Sequence, residues 1–75
     1  MKFHYYAETD SLYIDLASRP AADSVEVSPG VVLDLDTDGA LVGIDIDHAS
    51  RLVDLSRVDI ESLPVQSLAI AATGA

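Results

Sequence analysis

Apolar and polar residues that alternate at every second position constrain this chain's fold more than any other feature. Leu12, Ile14 and Leu16 alternate with Tyr13 and Asp15, and the same period recurs over 24–28, 31–35 and 41–46. A period of two is typical of strands that bury one face. Residues 3–6 are rich in aromatic strand formers and complete a set of five short predicted strands.

The connections between these strands carry clear turn signals. Ser28-Pro29-Gly30 presets one tight turn, because proline fixes φ and glycine accepts a positive φ. Asp36-Thr37-Asp38-Gly39 lies between two apolar runs and predicts a hairpin turn closed by a glycine with positive φ. Such short connections favour antiparallel pairing.

The spacing changes after residue 47. Ala49, Leu52, Val53 and Leu55 follow a helical period, and Asp47 is a candidate N-cap. The sequence therefore predicts one α+β, mostly β domain: a five-stranded antiparallel meander over 1–47 and a short helical segment over 48–64. We expect the helix to cover the apolar face, and the tail, 65–75, to fray or to pair in an oligomer.

Composition excludes several classes of function. The 75 residues contain no cysteine, which excludes disulfides and thiolate metal sites. Thirteen Asp and Glu outweigh four Lys and Arg, for a net charge of −9, and no basic stripe is present. We therefore expect no nucleic-acid or membrane partner, and a cytoplasmic protein whose acidic surface attracts a basic protein.

Two segments resemble a known bacterial family. They are YYAETDSLYIDL and VEVSPGVVLDLDTDGALVGIDIDHAS, which ends at Ser50. Together they resemble the family catalogued as domain of unknown function 2283, over about the first two-thirds of the chain. Asp45 departs from the Glu common at its position, and His48 lies beside the usual Ala-Ser. The resemblance implies a small β-meander with a trailing helix and an antitoxin-like role, since some members are encoded beside small toxin-like proteins.

One candidate site is a cation loop. The D-x-D-x-D-G spacing from Asp34 to Gly39 is that of a calcium loop, and its twelfth position also carries a carboxylate. The candidate ligands are Asp34, Asp36, Asp38 and Asp45. The flanking strands and the short twelfth side chain favour an ordinary hairpin turn instead, so cation binding is the alternative function.

The leading candidate is an acidic interaction surface. By strand alternation, four carboxylates are expected on the solvent face of two neighbouring strands: Asp34, Asp36, Asp45 and Asp47. No nucleophile or oxyanion donor accompanies them, and neither His4 nor His48 has metal-ligand spacing. We expect no enzyme activity and no cofactor, and a protein-interaction module that binds a small basic partner.

The apolar content predicts a homo-oligomer, most simply a dimer. Hydrophobic residues make up 49% of a chain that is short for a self-sufficient core. Gly43 lies on the strand face opposite the expected core, where a second backbone could approach closely. We expect the dimer contact near Leu41–Gly43 or in the C-terminal segment.

Overall fold

The computed structural model describes residues 1–64 and confirms a five-stranded antiparallel sheet with one short helix. The elements are β1 (Lys2–Tyr6), β2 (Ser11–Asp15), β3 (Asp23–Ser28), β4 (Val31–Leu35), β5 (Leu41–Ile46) and α1 (Ala49–Leu52). Every neighbouring pair of strands is antiparallel. The predicted tail, 65–75, lies outside the described residues.

The strand order is β1-β2-β5-β4-β3, which differs from the sequential order of the predicted meander. The connection over 16–22 causes the difference, because it carries the chain from β2 past the ends of β5 and β4. Leu16 N–H donates to the Val42 carbonyl on β5 (2.9 Å), and Ala22 N–H donates to the Leu35 carbonyl on β4 (2.7 Å). As a result β3 forms the far edge, and β5 becomes the central strand.

Strand register assigns each side chain to one of two faces, since directly paired residues point the same way. The polar face carries Lys2, His4, Tyr6, Ser11, Tyr13, Asp15, Ser24, Glu26, Val32, Asp34, Gly43 and Asp45. The apolar face carries Phe3, Tyr5, Leu12, Ile14, Val25, Ser28, Val31, Leu33, Leu35, Leu41, Ile44 and Ile46. Asp23, at the end of edge strand β3, is the charged residue that shares the apolar face within the described strands.

The turn between β4 and β5 has the predicted form. Gly39 has φ +82°, and its N–H donates to the Asp36 carbonyl (3.1 Å). The Asp36 side chain also accepts from the N–H groups of Asp38 and Ala40, both at 2.9 Å. The prediction of a positive φ at Gly39 is confirmed, and the Asp36 carboxylate stabilises the turn.

The helix is short, as the sequence predicts, and it ends well before residue 64. Of the segment 48–64, only Ala49–Leu52 is helical, and residues 53–64 form no further helix or strand. Val53 is extended (φ −134°), and Asp54 then accepts hydrogen bonds from the Ser56 backbone and hydroxyl, which compete with a helical continuation.

The core of the described chain is correspondingly small. Its buried hydrophobic residues are Val42, Ile46 and Ala49, at 3%, 9% and 0% exposure. Ile46 and Ala49 lie where β5 leads into α1, and Val42 lies near the other end of β5. The expectation that the helix covers the apolar face is therefore wrong: one helical turn closes a single corner of it.

Candidate functional site

The centre of the polar face is organised by a tyrosine that lies across a glycine. Tyr13 on β2 neighbours Gly43 on β5, and a Cβ added to that glycine would overlap the Tyr13 hydroxyl and lie 2.6 Å from its Cζ. The expectation that a second backbone approaches at Gly43 is wrong, because the chain's own ring fills that space. The lack of a side chain at residue 43 is what lets the ring lie flat on the sheet.

The same tyrosine ties three strands together. Its hydroxyl donates to Asp34 Oδ2 on β4 (2.9 Å), and Ser24 Oγ on β3 donates to Asp34 Oδ1 (2.8 Å). The hydrogen bond to Asp34, with burial and nearby carboxylates, raises the pKa of Tyr13 to about 12. The phenol therefore stays protonated and acts as a fixed donor at neutral pH, and both Asp34 oxygens are engaged in the fold.

Asp45 has a different environment from Asp34. It lies on the polar face directly opposite Tyr13 and Val32, and no side-chain partner is found for it within residues 1–64. Burial raises the pKa of Asp45, and repulsion from the carboxylates of Asp47 and Asp34 raises it further. A cation that reached this position would favour the ionised form of Asp45 and offset the repulsion from the two neighbouring carboxylates.

A second polar cluster joins the first hairpin to the helix. Asp10 has a left-handed backbone (φ 53°), and its carboxylate accepts from the Tyr5 hydroxyl (2.7 Å), Ser50 N–H (3.1 Å) and Ser50 Oγ (2.7 Å). Its carbonyl also accepts from Ala49 N–H (2.8 Å). These bonds hold the pKa of Asp10 below its usual value, the Ser50 hydroxyl contributing most.

This cluster supplies the helix cap that sequence reasoning assigned to Asp47. The residue at the N-cap position is His48, which is left-handed (φ 51°) and makes no side-chain cap bond. Asp10 caps the first turn from 40 residues away in the sequence. Because the capping residue is distant in the sequence, no local pattern near the helix predicts it. The sequence offers only an aspartate that follows Thr9 in a predicted turn, a position where a carboxylate is free to bind backbone N–H groups.

The four proposed interaction carboxylates do not form one set. Asp34 and Asp45 share the polar face as expected, and Asp47 lies just beyond the end of β5 within reach of the Ser11 hydroxyl (3.4 Å). Asp36 lies in the turn after β4, where Arg19 Nε contacts its second oxygen (2.8 Å). The Ala40 N–H does most to lower the pKa of Asp36, with help from Asp38 N–H and Arg19.

The proposed cation ligands are separated in the same way. Asp34 and Asp36 direct their oxygens to partners within the protein, and Asp38 lies exposed in the turn. Over residues 1–64, no three carboxylate or imidazole side chains converge in a way that could hold a metal ion. The calcium-like spacing is thus used here to build a β-turn.

The fold and these clusters define a small single-sheet β domain whose polar side chains mainly hold its strands and its helix in place. The family described as "Protein of unknown function (DUF2283)" matches residues 2–50, and the chain belongs to that family. The matched span includes both polar clusters, from Tyr5 to Ser50. No curated protein and no solved structure matches the chain. None of the helices in the described part is long and apolar enough to cross a membrane.

Proposed function

We infer that this domain is a protein-interaction module, antitoxin-like in kind, which binds a small basic protein through its polar face. The charges of that face support the proposal. Asp15, Asp34 and Asp45 lie on adjacent central strands, with Glu26 on the edge strand β3. Within residues 1–64 the ion pairs are Arg19–Asp36 and Arg57–Asp59, and neither uses a carboxylate of the polar face.

The observation that carries the proposal is the state of Asp45. Its pKa is raised by burial and by the neighbouring carboxylates of Asp47 and Asp34. An arginine or lysine from a partner would lower that pKa again, because an opposite charge within a few ångströms favours the ionised form. The repulsion among these carboxylates supports the proposal, because a cationic group from a partner would offset it.

The shape of the polar face, which is open and shallow, favours a protein partner. One open, shallow depression lies among Lys2, His4 and Tyr6, and a second lies between Tyr13, Asp15 and the segment 17–21. Small-molecule sites are usually deep and largely apolar. A flat acidic surface instead favours association guided by charge, in which electrostatic steering raises the rate of encounter.

The test begins with co-purification of a basic partner from native cells and then measures its association rate by stopped flow over a range of salt concentrations. The informative variant is Asp45→Asn with Asp47→Asn, since Asp34 and Asp36 are needed for the fold and their loss would confuse the result. We expect this double variant to associate several-fold more slowly at low salt and to show a weaker salt dependence than the natural chain.

A matched control removes two negative charges elsewhere. Asp59→Asn with Glu61→Gln gives the same change in net charge at exposed positions outside the sheet. If binding is guided by the polar face, the control associates at nearly the natural rate. Equal slowing in the two variants would show that only net charge matters, and association that ignores both salt and Asp45 would contradict the proposal.

A further inference from the structure

We propose that a second copy of this chain covers the apolar face, so that two sheets stack face to face as a sandwich. On that face Ile46 and, by alternation along β5, Val42 are buried, and six other side chains are partly exposed: Leu12, Ile14, Val31, Leu33, Leu35 and Ile44. Phe3, Tyr5 and Val25 are 51%, 43% and 42% exposed. A sheet with one apolar face is stable only when a second layer covers that face. This inference concerns the face opposite the proposed basic-partner site and does not rest on it.

The area of the face is sufficient for a dimer. Five strands about 4.8 Å apart, with five residues of about 3.3 Å each, span roughly 400 Å² of flat sheet per copy. Side-chain relief adds to this value, so two copies bury on the order of 1,000 Å² in total, the lower bound of a specific interface. The face is also compact and continuous across all five strands.

A second sheet of this chain has the dimensions that the apolar face requires. The apolar face is about 24 Å wide across its five strands. A second sheet of the same size matches it, and sheets commonly stack about 10 Å apart.

The distribution of charge also favours a second copy on this face. Thirteen carboxylates against four Lys and Arg give the chain its net charge of −9, yet the apolar face carries only one charged residue within the described strands, Asp23 at its corner. Stacking the apolar faces leaves Asp34 and Asp45 of both copies in solvent. Stacking the polar faces would bury like charges against each other, which is strongly unfavourable.

The absence of cysteine from the chain permits a test of which face is covered. Val25→Cys and Glu26→Cys place a thiol on the apolar and the polar face of the same edge strand. We expect sedimentation equilibrium of the natural chain at micromolar concentration to give the dimer mass. Thiol labelling of residue 25 should slow several-fold as protein concentration rises through the association range, whereas labelling of residue 26 should not change.

A second pair of variants tests the same contact by charge. Val25→Asp should give a monomer at concentrations where Val58→Asp, an identical change at a 68% exposed position outside the sheet, remains a dimer. Circular dichroism checks that each variant is folded, and the cysteine pair decides the matter if Val25→Asp is not. A monomer at all concentrations, protection of residue 25 that does not vary with concentration, or protection of residue 26 instead would each overturn the proposal.

Discussion

The two faces of the sheet are completed in opposite ways. On the polar face the chain's own side chains close the surface: Tyr13 covers Gly43, and Asp34 binds both Tyr13 and Ser24. On the apolar face, α1 closes one corner around Ile46, while Phe3, Tyr5 and Val25 stay exposed and most of the remaining side chains stay partly exposed. Individual hydrogen bonds can satisfy the polar atoms of one face. An apolar face is removed from water only when another layer of comparable area covers it.

The largest effect should come from the closed corner of the apolar face. Ile46→Ala removes a buried side chain that pairs with Leu12 and Val31 across two neighbouring strands. We expect the free energy of unfolding to fall by about 2–4 kcal/mol, because a cavity is left in a core with little else to support it. Urea denaturation at fixed protein concentration measures the change.

The matched control for that variant is Ile60→Ala. Ile60 is 48% exposed and lies outside the sheet, so the same chemical change should cost less than about 1 kcal/mol. Equal losses at the two positions would show that the corner between β5 and α1 is no better packed than the rest of the chain, and that the contrast between the faces is misplaced.

A smaller effect is expected at the centre of the polar face. Gly43→Ala should reduce the free energy of unfolding by about 1–3 kcal/mol, because the added methyl group overlaps the Tyr13 ring. The cause can be isolated with a double-mutant cycle. In the background Tyr13→Ala the ring is gone, and the further change Gly43→Ala should then cost little. If it costs as much as in the natural chain, backbone conformation and not the ring requires the glycine.

The sequence predicted local features better than distant contacts. Alternation located the five strands, and Asp36 to Gly39 predicted the turn, since both signals depend on adjacent residues. The pairing of β2 with β5 depends on the path of residues 16–22, which no periodicity reports. The same holds for the cap from Asp10 to Ser50 and for the ring of Tyr13 on Gly43, since each joins residues 30 or more positions apart.

For the proposed site, alternation predicted correctly that Asp34 and Asp45 share a face. It could not separate their roles, because these depend on what the neighbouring strands present. Tyr13 and Ser24 satisfy Asp34, while Asp47 and Asp34 repel Asp45. Asp36 was misplaced because β4 ends at Leu35, one residue before the turn takes up its carboxylate.

The smallest expected effect is on the pH dependence of the free energy of unfolding, to which Asp45 and Asp36 contribute with opposite signs. Folding raises the pKa of Asp45, so its ionisation opposes folding, and the stability it allows at low pH is lost as pH rises through the raised pKa. Folding lowers the pKa of Asp36, so the stability from that group is present at neutral pH and is lost as pH falls through the lowered pKa.

Asp45→Asn should therefore raise the free energy of unfolding at pH 7 by less than about 1 kcal/mol, because solvent screens the repulsion, and the gain should vanish near pH 3. Asp36→Asn should do the reverse, destabilising the protein at pH 7 and less so in acid. Urea denaturation of both variants and the natural chain across this pH range measures the two differences, and differences of the same sign would show that Asp45 is not held in an unfavourable state.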